Sequence, residues 1–174
     1  MSNLISHTSV TVDGLCDVGD WFVAEGDHDA AGVAELAAAA AFVTGRTCYE
    51  GFLDYWPSAT GPWADALNPM PKYVASRTLS GRLDWNAQVI EGDAVDGIRR
   101  LKDDLDGDLF LSGCGELACA LLEAGVIDVV TLWVHPSIGG PGTRPYQAAT
   151  VDLELLDVTG FDSGVVRQRY RPVV

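Results

Sequence analysis

Apolar side chains recur along this chain with two spacings, near two and near 3.6 residues, and the changes from one to the other outline alternating strands and helices. Residues 4–12 alternate in part, are rich in β-branched side chains and stop at the turn pair Asp13-Gly14, which predicts a first strand. The alanine-rich run 30–41 predicts a helix in spite of Gly32, and Phe42-Val43-Thr44 after it predicts a short strand ended by Gly45. Tyr49, Phe52, Leu53 and Trp56 then lie at helical spacing, so a helix is expected over 47–55 with Pro57 closing it. The stretch 56–71 is crowded with turn residues and reads as a loop with room for one short helix.

Two short β pieces follow, at Tyr73-Val74-Ala75 and Gln88-Val89-Ile90. The helix over 93–105 is the clearest element, because Asp93 can cap it and Val95, Ile98, Leu101 and Leu105 form one apolar stripe. A strand over 108–111 runs into Gly113-Cys114-Gly115 and then a helix whose apolar face holds Leu117, Ala118, Leu121 and Leu122, with Gly125 placed to end it. Residues 127–134 are mostly apolar, the mark of a central strand covered on both faces. Runs 153–158 and 165–171 flank Gly160-Phe161-Asp162-Ser163-Gly164 and predict an antiparallel hairpin. The expected fold class is α/β, a mixed, mostly parallel sheet flanked by helices with a C-terminal antiparallel hairpin. With no internal repeat, long linker or break in composition, the chain reads as one domain over 1–174.

Composition narrows the partners. Hydrophobic residues make up 48% and charged residues 21% of the 174, which is globular rather than disordered. Eleven Lys and Arg against 25 Asp and Glu leave a net charge of −14, a field that repels nucleic-acid backbones and anionic membrane surfaces. No apolar run approaches the roughly 20 residues of a membrane span, and Met1-Ser2-Asn3 lacks the basic start of a signal peptide, so a cytoplasmic location is expected. Cys16, Cys48, Cys114 and Cys119 show no Cys-x-x-Cys spacing and are expected as buried free thiols. His7, His28 and His135 are scattered, and no metal site is expected.

Three junctions carry candidate chemistry. The strand-Gly-x-Gly-helix arrangement at Ser112, Gly113, Cys114, Gly115 and Glu116 lets a phosphate approach the backbone at a helix N-terminus, or else uses its glycines only for a tight turn. A Rossmann domain is excluded, because too little chain follows and no acid stands about 20 residues downstream. Gly45, Arg46 and Thr47 place a guanidinium and a hydroxyl at a second strand-to-helix junction, where Arg46 either meets an anion or pairs with Glu50 four residues on. Ser76 and Arg77, after a third strand, offer groups suited to a ribose 2′-phosphate, or else cap a polar loop. Three such junctions at strand ends of one parallel-type sheet point to a nucleotide site.

Taken in order, several pieces resemble the dihydrofolate reductase-like proteins, in particular the branch of the C-terminal reductase domain of the bifunctional riboflavin-biosynthesis deaminase-reductase. They are Ser9-Val10-Thr11-Val12-Asp13-Gly14, Gly19-Asp20-Trp21, Thr44-Gly45-Arg46-Thr47-Cys48-Tyr49-Glu50, Pro71-Lys72-Tyr73-Val74-Ala75-Ser76, Leu111-Ser112-Gly113-Cys114-Gly115-Glu116-Leu117 and His135-Pro136 with the glycines at 139–142. The resemblance spans nearly the whole chain and implies a dihydrofolate reductase-like fold, NADPH as cofactor and a homodimer. It implies that the Gly45-Arg46-Thr47 junction meets the cofactor phosphates, with Arg46 a phosphate ligand and Thr47 a neighbour of the diphosphate or nicotinamide, that Ser76 and Arg77 contact the 2′-phosphate, and that Ser112 to Glu116 form the diphosphate-binding turn.

The chain departs from folate-reducing members at the substrate end, where it has Gly19-Asp20-Trp21 and Glu25-Gly26-Asp27-His28-Asp29 instead of their Pro-Trp and Leu-Pro context, so the resemblance does not carry folate as the substrate. Asp13, Asp20, Asp27 and Tyr49 are candidates for polar groups near a substrate, or else turn aspartates and a core tyrosine. Trp21, with Tyr49, Phe52, Trp56 and Trp63, is a candidate pocket wall or core residue. Arg167, Arg169 and Arg171 share one strand face, either solvated or facing acids across a dimer contact. The expected function is NADPH-dependent hydride transfer to a small heterocyclic or carbonyl/imine substrate. The alternatives are a nucleotide-binding relative without turnover and a structural or regulatory dimer.

Overall fold

The computed structural model describes residues 2–173. Strands β1 (Leu4–Thr11), β2 (Ala41–Gly45), β3 (Lys72–Ala75), β4 (Arg82–Leu83), β5 (Ala87–Val89), β6 (Leu109–Ser112), β7 (Val129–His135), β8 (Asp152–Gly160) and β9 (Val166–Val173) join one sheet in the order β4-β5-β3-β2-β6-β1-β7-β9-β8. Pairing is parallel from β5 through β7 and antiparallel at both margins, where β4 meets β5 and the β8–β9 hairpin meets β7.

Helices α1 (Asp27–Ala37), α2 (Arg46–Leu53) and α3 (Pro62–Leu67) cover one face of the sheet, and α4 (Ala94–Asp104) and α5 (Glu116–Glu123) cover the other. Right-handed crossovers require this division: β1 to β2 and β2 to β3 run toward one edge, whereas β5 to β6 and β6 to β7 run toward the other. The period-two pleat then sorts side chains by parity. Leu4, Leu109, Leu111 and Val43 meet Ile98, Leu121 and Leu122 on the α4–α5 face, while Phe42 and Phe110 meet Leu36 and Leu67 on the α1–α3 face.

Most expected elements appear, with shifts that have physical causes. The alanine-rich helix begins earlier, at Asp27, and ends at Ala37, because Ala41 is drawn into pairing with Leu109 of β6 and strand pairing overrides alanine's helix propensity. The stretch 56–71 holds a 3₁₀ turn (Trp56–Ser58) as well as α3. Strand β4 has no periodic signal, being two residues long and joined to β5 through Trp85 and Asn86, both at positive φ. Asp93 accepts from the amides of Val95 and Asp96 and so caps α4, and Gly125 follows α5 with φ of +65°.

Two buried lysines brace the sheet. Lys72 donates to the carbonyls of Leu67 (2.8 Å), Met70 (2.8 Å) and Asn68 (3.2 Å) and lies 4.1 Å from the Trp85 ring centroid. Burial lowers its ammonium to about 8. Lys102 of α4 donates to the Val126 carbonyl and to Asp128, whose carboxylate also accepts from the Leu4 amide, tying helix to central strand.

Gly97 shows how close α4 lies to the sheet, since a Cβ there would stand 2.1 Å from Cγ2 of Ile90. Gly to Ala in a helix ordinarily gains about 1 kcal/mol, but here overpacking against a stiff β-branched side chain outweighs it. Gly97→Ala is expected to destabilise by about 1–3 kcal/mol, lowering Tm by several degrees; calorimetry that finds a stabilised variant would refute this packing.

Candidate functional site

Strands β2 and β6 lie side by side in parallel, yet α2 and α5, which follow them, leave to opposite faces. That makes a topological switch point, where a crevice opens outside the carboxyl ends of the strands. Both helices enter it with bare N-termini: Gly45 before α2 and Gly115 before α5 make no side-chain cap. Free amides and two positive dipole ends therefore face one crevice. A Cβ built on Gly45 or Gly115 would meet nothing within 4 Å. Gly113 adopts φ of +104°, which a glycine tolerates best, and turns β6 into α5.

The predicted cofactor residues stand at the carboxyl ends of β2, β3 and β6. Arg46 opens α2 and pairs with Glu50 at 3.3 Å on the surface, and Thr47 lies exposed beside it. Ser76, at the end of β3, accepts from the amides of Thr78 (3.1 Å) and Leu79 (2.9 Å), so its hydroxyl oxygen shapes the loop. Arg77 reaches across to Glu116 at 3.7 Å, both side chains almost wholly exposed. The Thr44 hydroxyl donates to the Ser112 carbonyl and links the two strand ends.

The substrate candidates lie elsewhere. Asp13 accepts from the Thr11 hydroxyl (2.6 Å) and from the amides of Gly139 (2.8 Å) and Gly140 (2.9 Å), which hold its carboxyl far below the usual range. With Asp17, which accepts from the Thr143 amide, it fastens the β1–α1 loop to the β7–β8 loop. Gly139 and Gly142 are small at this seam because any Cβ would stand within 2.4 Å of Leu15. Asp27 accepts from the amides of Asp162 and Ser163 and holds the β8–β9 turn, bonds that lower its carboxyl. Tyr49 is core-facing and donates to the Asp84 carbonyl. Asp20 is exposed on the β1–α1 loop. Trp21 lies edge-on to His135, ring centroids 5.2 Å apart. Arg167, Arg169 and Arg171 find their acids within the chain, at Glu35, Asp157 and Glu154.

What sequence reasoning passed over is a small cavity of about 50 Å³ on the α1 face, between β1, β7 and α1. Register places His7 and Ser9 of β1 beside Thr131 and Trp133 of β7, and His28, Asp29 and Gly32 of α1 lie opposite. Gly32 has no room for a Cβ, which would stand 2.9 Å from the Trp63 ring, and the Trp63 indole donates to Asp29 at 2.7 Å. His7 sits between Phe110 and Trp133, at 4.9 and 5.2 Å. The Trp133 indole can only donate, so His7 Nδ1 accepts it (3.1 Å) and the ring proton of neutral His7 stands on Nε2. His28 donates from Nε2 to the Val23 carbonyl, and Nδ1 of His28 and Nδ1 of His135 are buried without partners. A detectable signal was the alternation itself, which puts polar His7 and Ser9, and Trp133 and His135, on a strand face that is otherwise core.

Fold and crevice together define a dihydrofolate reductase-like α/β protein. The family profile of the RibD C-terminal domain matches residues 2–167, and the chain belongs to that family. It is 25% identical over 178 residues to the uncharacterized protein YyaP of Bacillus subtilis (strain 168), covering 96% of this chain and 93% of that one. A protein of Shewanella sp. PV-4 assigned to riboflavin biosynthesis shares the fold with a TM-score of 0.78, 17% identity and 99% coverage of both chains. The diaminohydroxyphosphoribosylaminopyrimidine deaminase/5-amino-6-(5-phosphoribosylamino)uracil reductase of Thermotoga maritima matches with a TM-score of 0.70 and 18% identity, over 99% of this chain and 57% of that one. Dihydrofolate reductase from Enterococcus faecalis, solved with NADP(H), matches with a TM-score of 0.65 and 14% identity, over 99% and 97%.

His135 is 1% exposed, and burial, helped by His28, lowers its imidazole from 6.5 to about 4. Between those values the unfolded chain binds the extra proton, so stability contributed by neutral His135 is complete above pH 6.5 and is lost as pH falls toward 4. Urea unfolding at about pH 7.5 and about pH 5 should show stability dropping with acid, and His135→Phe should flatten that slope by roughly one proton. An identical slope in both proteins would contradict a neutral, buried His135.

Proposed function

We propose that this protein is an NADPH-dependent reductase that transfers hydride to a small heterocyclic or carbonyl/imine substrate. The observation that carries the reading is the switch-point crevice, with two uncapped helix N-termini and two exposed arginines, opening at the same sheet edge as the aromatic α1-face cavity. The residues present fit the cofactor: open space before Gly45 and Gly115 lets a diphosphate approach the α2 and α5 amides. Arg46 and Arg77 supply charge-assisted contacts to phosphate in a chain otherwise rich in acid. When bound, NADPH supplies the hydride.

On the substrate side, the Phe22, Trp63 and Trp133 rings give a planar molecule apolar walls. His7 offers its Nε2 proton to a ligand atom, and Asp29, held by the Trp63 indole, offers an acceptor oxygen. Neutral His135, packed by Trp21 and Phe22, closes the floor and excludes water. The reductase reading places the protein in the cytoplasm, working on a small molecule without nucleic-acid or membrane partners; among the described residues no helix is long and apolar enough to cross a membrane.

Titration with NADPH beside NADH, read by thermal shift and fluorescence, tests this directly. NADPH should bind and raise the apparent stability, Arg46→Ala should weaken it by more than about tenfold, and Gly45→Val should do the same while leaving Tm within a degree or two, since its backbone is extended and its Cβ meets open space. No shift with either nucleotide would sink the reductase reading. Binding without turnover of any pyrimidine, pterin or carbonyl substrate would leave a nucleotide-binding protein.

The homodimer is part of the same proposal. Leu153, Leu155 and Val158 of the edge strand β8 are about half exposed on the face that α4 and α5 leave uncovered, an apolar edge suited to a second copy. Light scattering on the eluting protein should give twice the chain mass, and Leu155→Lys should shift it toward monomer; a monomeric wild type would exclude the dimer.

A further inference from the structure

The expected buried free thiols include a pair that the fold brings together from positions 98 residues apart. Cys16 lies on the β1–α1 loop and Cys114 at the centre of the Gly113–Gly115 turn, and their sulfurs are 3.5 Å apart. Both residues are only half-buried, unlike Cys119 in the core. Cys16 is held from behind, its amide and its sulfur both bonded to the Thr143 carbonyl, at 3.0 and 3.3 Å. Cys114 is held by its carbonyl, which accepts from the Tyr146 amide. Neither thiol has a role in the reductase chemistry proposed above.

We propose that Cys16 and Cys114 are a redox modification site: hydrogen peroxide or an organic hydroperoxide joins them in a reversible disulfide that staples the β1–α1 loop to the α5 N-terminus and weakens cofactor binding. The Cys114 S–H donates toward the Cys16 sulfur, and burial pushes the Cys114 thiol up to about 12, so Cys114 keeps its proton and oxidation starts at Cys16. The Cys16 sulfur attacks the peroxide, the O–O bond breaks, and a sulfenic acid and one water (or alcohol) result. Cys114 sulfur then attacks the Cys16 sulfur, the S–O bond breaks and a second water leaves. Two thiols lose two electrons and two protons, and the peroxide is reduced by two electrons. A dithiol reverses the step by exchange.

The link matters to the crevice because it draws sulfurs now 3.5 Å apart to about 2.05 Å, a change that side-chain rotation and the two loops share and that fixes the Gly113–Gly115 turn to the β1–α1 loop. Cys114 is flanked by Gly113 and Gly115, the residues that set the direction of the α5 amides. A binding constellation tolerates displacements of only about 0.5 Å. This coupling rests on the proposed cofactor site, whereas the disulfide itself does not.

The test uses the reduced full-length protein with and without hydrogen peroxide. Titratable thiols should fall from four to two, a non-reduced digest should contain the Cys16–Cys114 linked peptides, and dithiothreitol should restore the original state. Cys16→Ser and Cys114→Ser should each abolish the link, and Cys48→Ser should keep it. The NADPH dissociation constant should rise about tenfold or more on oxidation and recover on reduction, while Cys16→Ser should be indifferent to peroxide. Four thiols still titratable, or a link through Cys119, would overturn the site. A linked protein with unaltered NADPH affinity would overturn the coupling. Reduced protein that binds no NADPH would overturn the coupling together with the reductase reading, and the linked peptides would still decide the disulfide.

Discussion

Parallel pairing in the middle of the sheet is the constraint from which the rest follows. Because β1, β2, β3, β6 and β7 all run the same way, their carboxyl ends and the loops after them must gather along one edge. Right-handed crossovers then send α1 and α2 to one face and α4 and α5 to the other, so the edge acquires a crevice between β2 and β6 without any residue being selected for it. The glycines at 45, 113 and 115 leave open space at those strand ends, and Arg46 and Arg77 stand exposed beside them.

The same pleat builds the second half of the site. Alternation along β1 sends Leu4, Ser6, Thr8 and Val10 toward α4 and α5, and Ile5, His7 and Ser9 toward α1. Ser6 and Thr8 are reconciled with a buried face by the Tyr146 hydroxyl, which bonds to both. Tyr146 belongs to the β7–β8 loop, whose Gly139, Gly140 and Thr143 amides are held by Asp13 and Asp17. One loop thus braces the β1–α1 loop on one side and the Gly113–Gly115 turn on the other, and the Cys16–Cys114 pair is a consequence of that bracing.

Local signals in the sequence were strongest where one element decides its own fate. Asp93 and the stripe at Val95, Ile98, Leu101 and Leu105 specify α4, and the glycine-bearing junctions at 45–47 and 112–116 mark strand ends that become helix starts whatever surrounds them. Signals failed where a partner decides. Ala41 has helical propensity but pairs with Leu109, β4 exists only because β5 accepts it, and Asp13 and Asp27, open in the sequence between substrate groups and turn aspartates, are placed by the loop amides that bond to them.

The sequence by itself determined the α/β class, the order of the elements and the candidate phosphate-binding junctions, because propensity, capping and turn chemistry act over a few residues and are written locally. Tertiary structure alone decided which junctions share a crevice, that His7, His28 and His135 converge on one aromatic cavity, and that two cysteines 98 residues apart stand sulfur to sulfur. Strand order and register set those distances, and they arise from crossover handedness and packing across the whole sheet, which no short stretch of chain encodes.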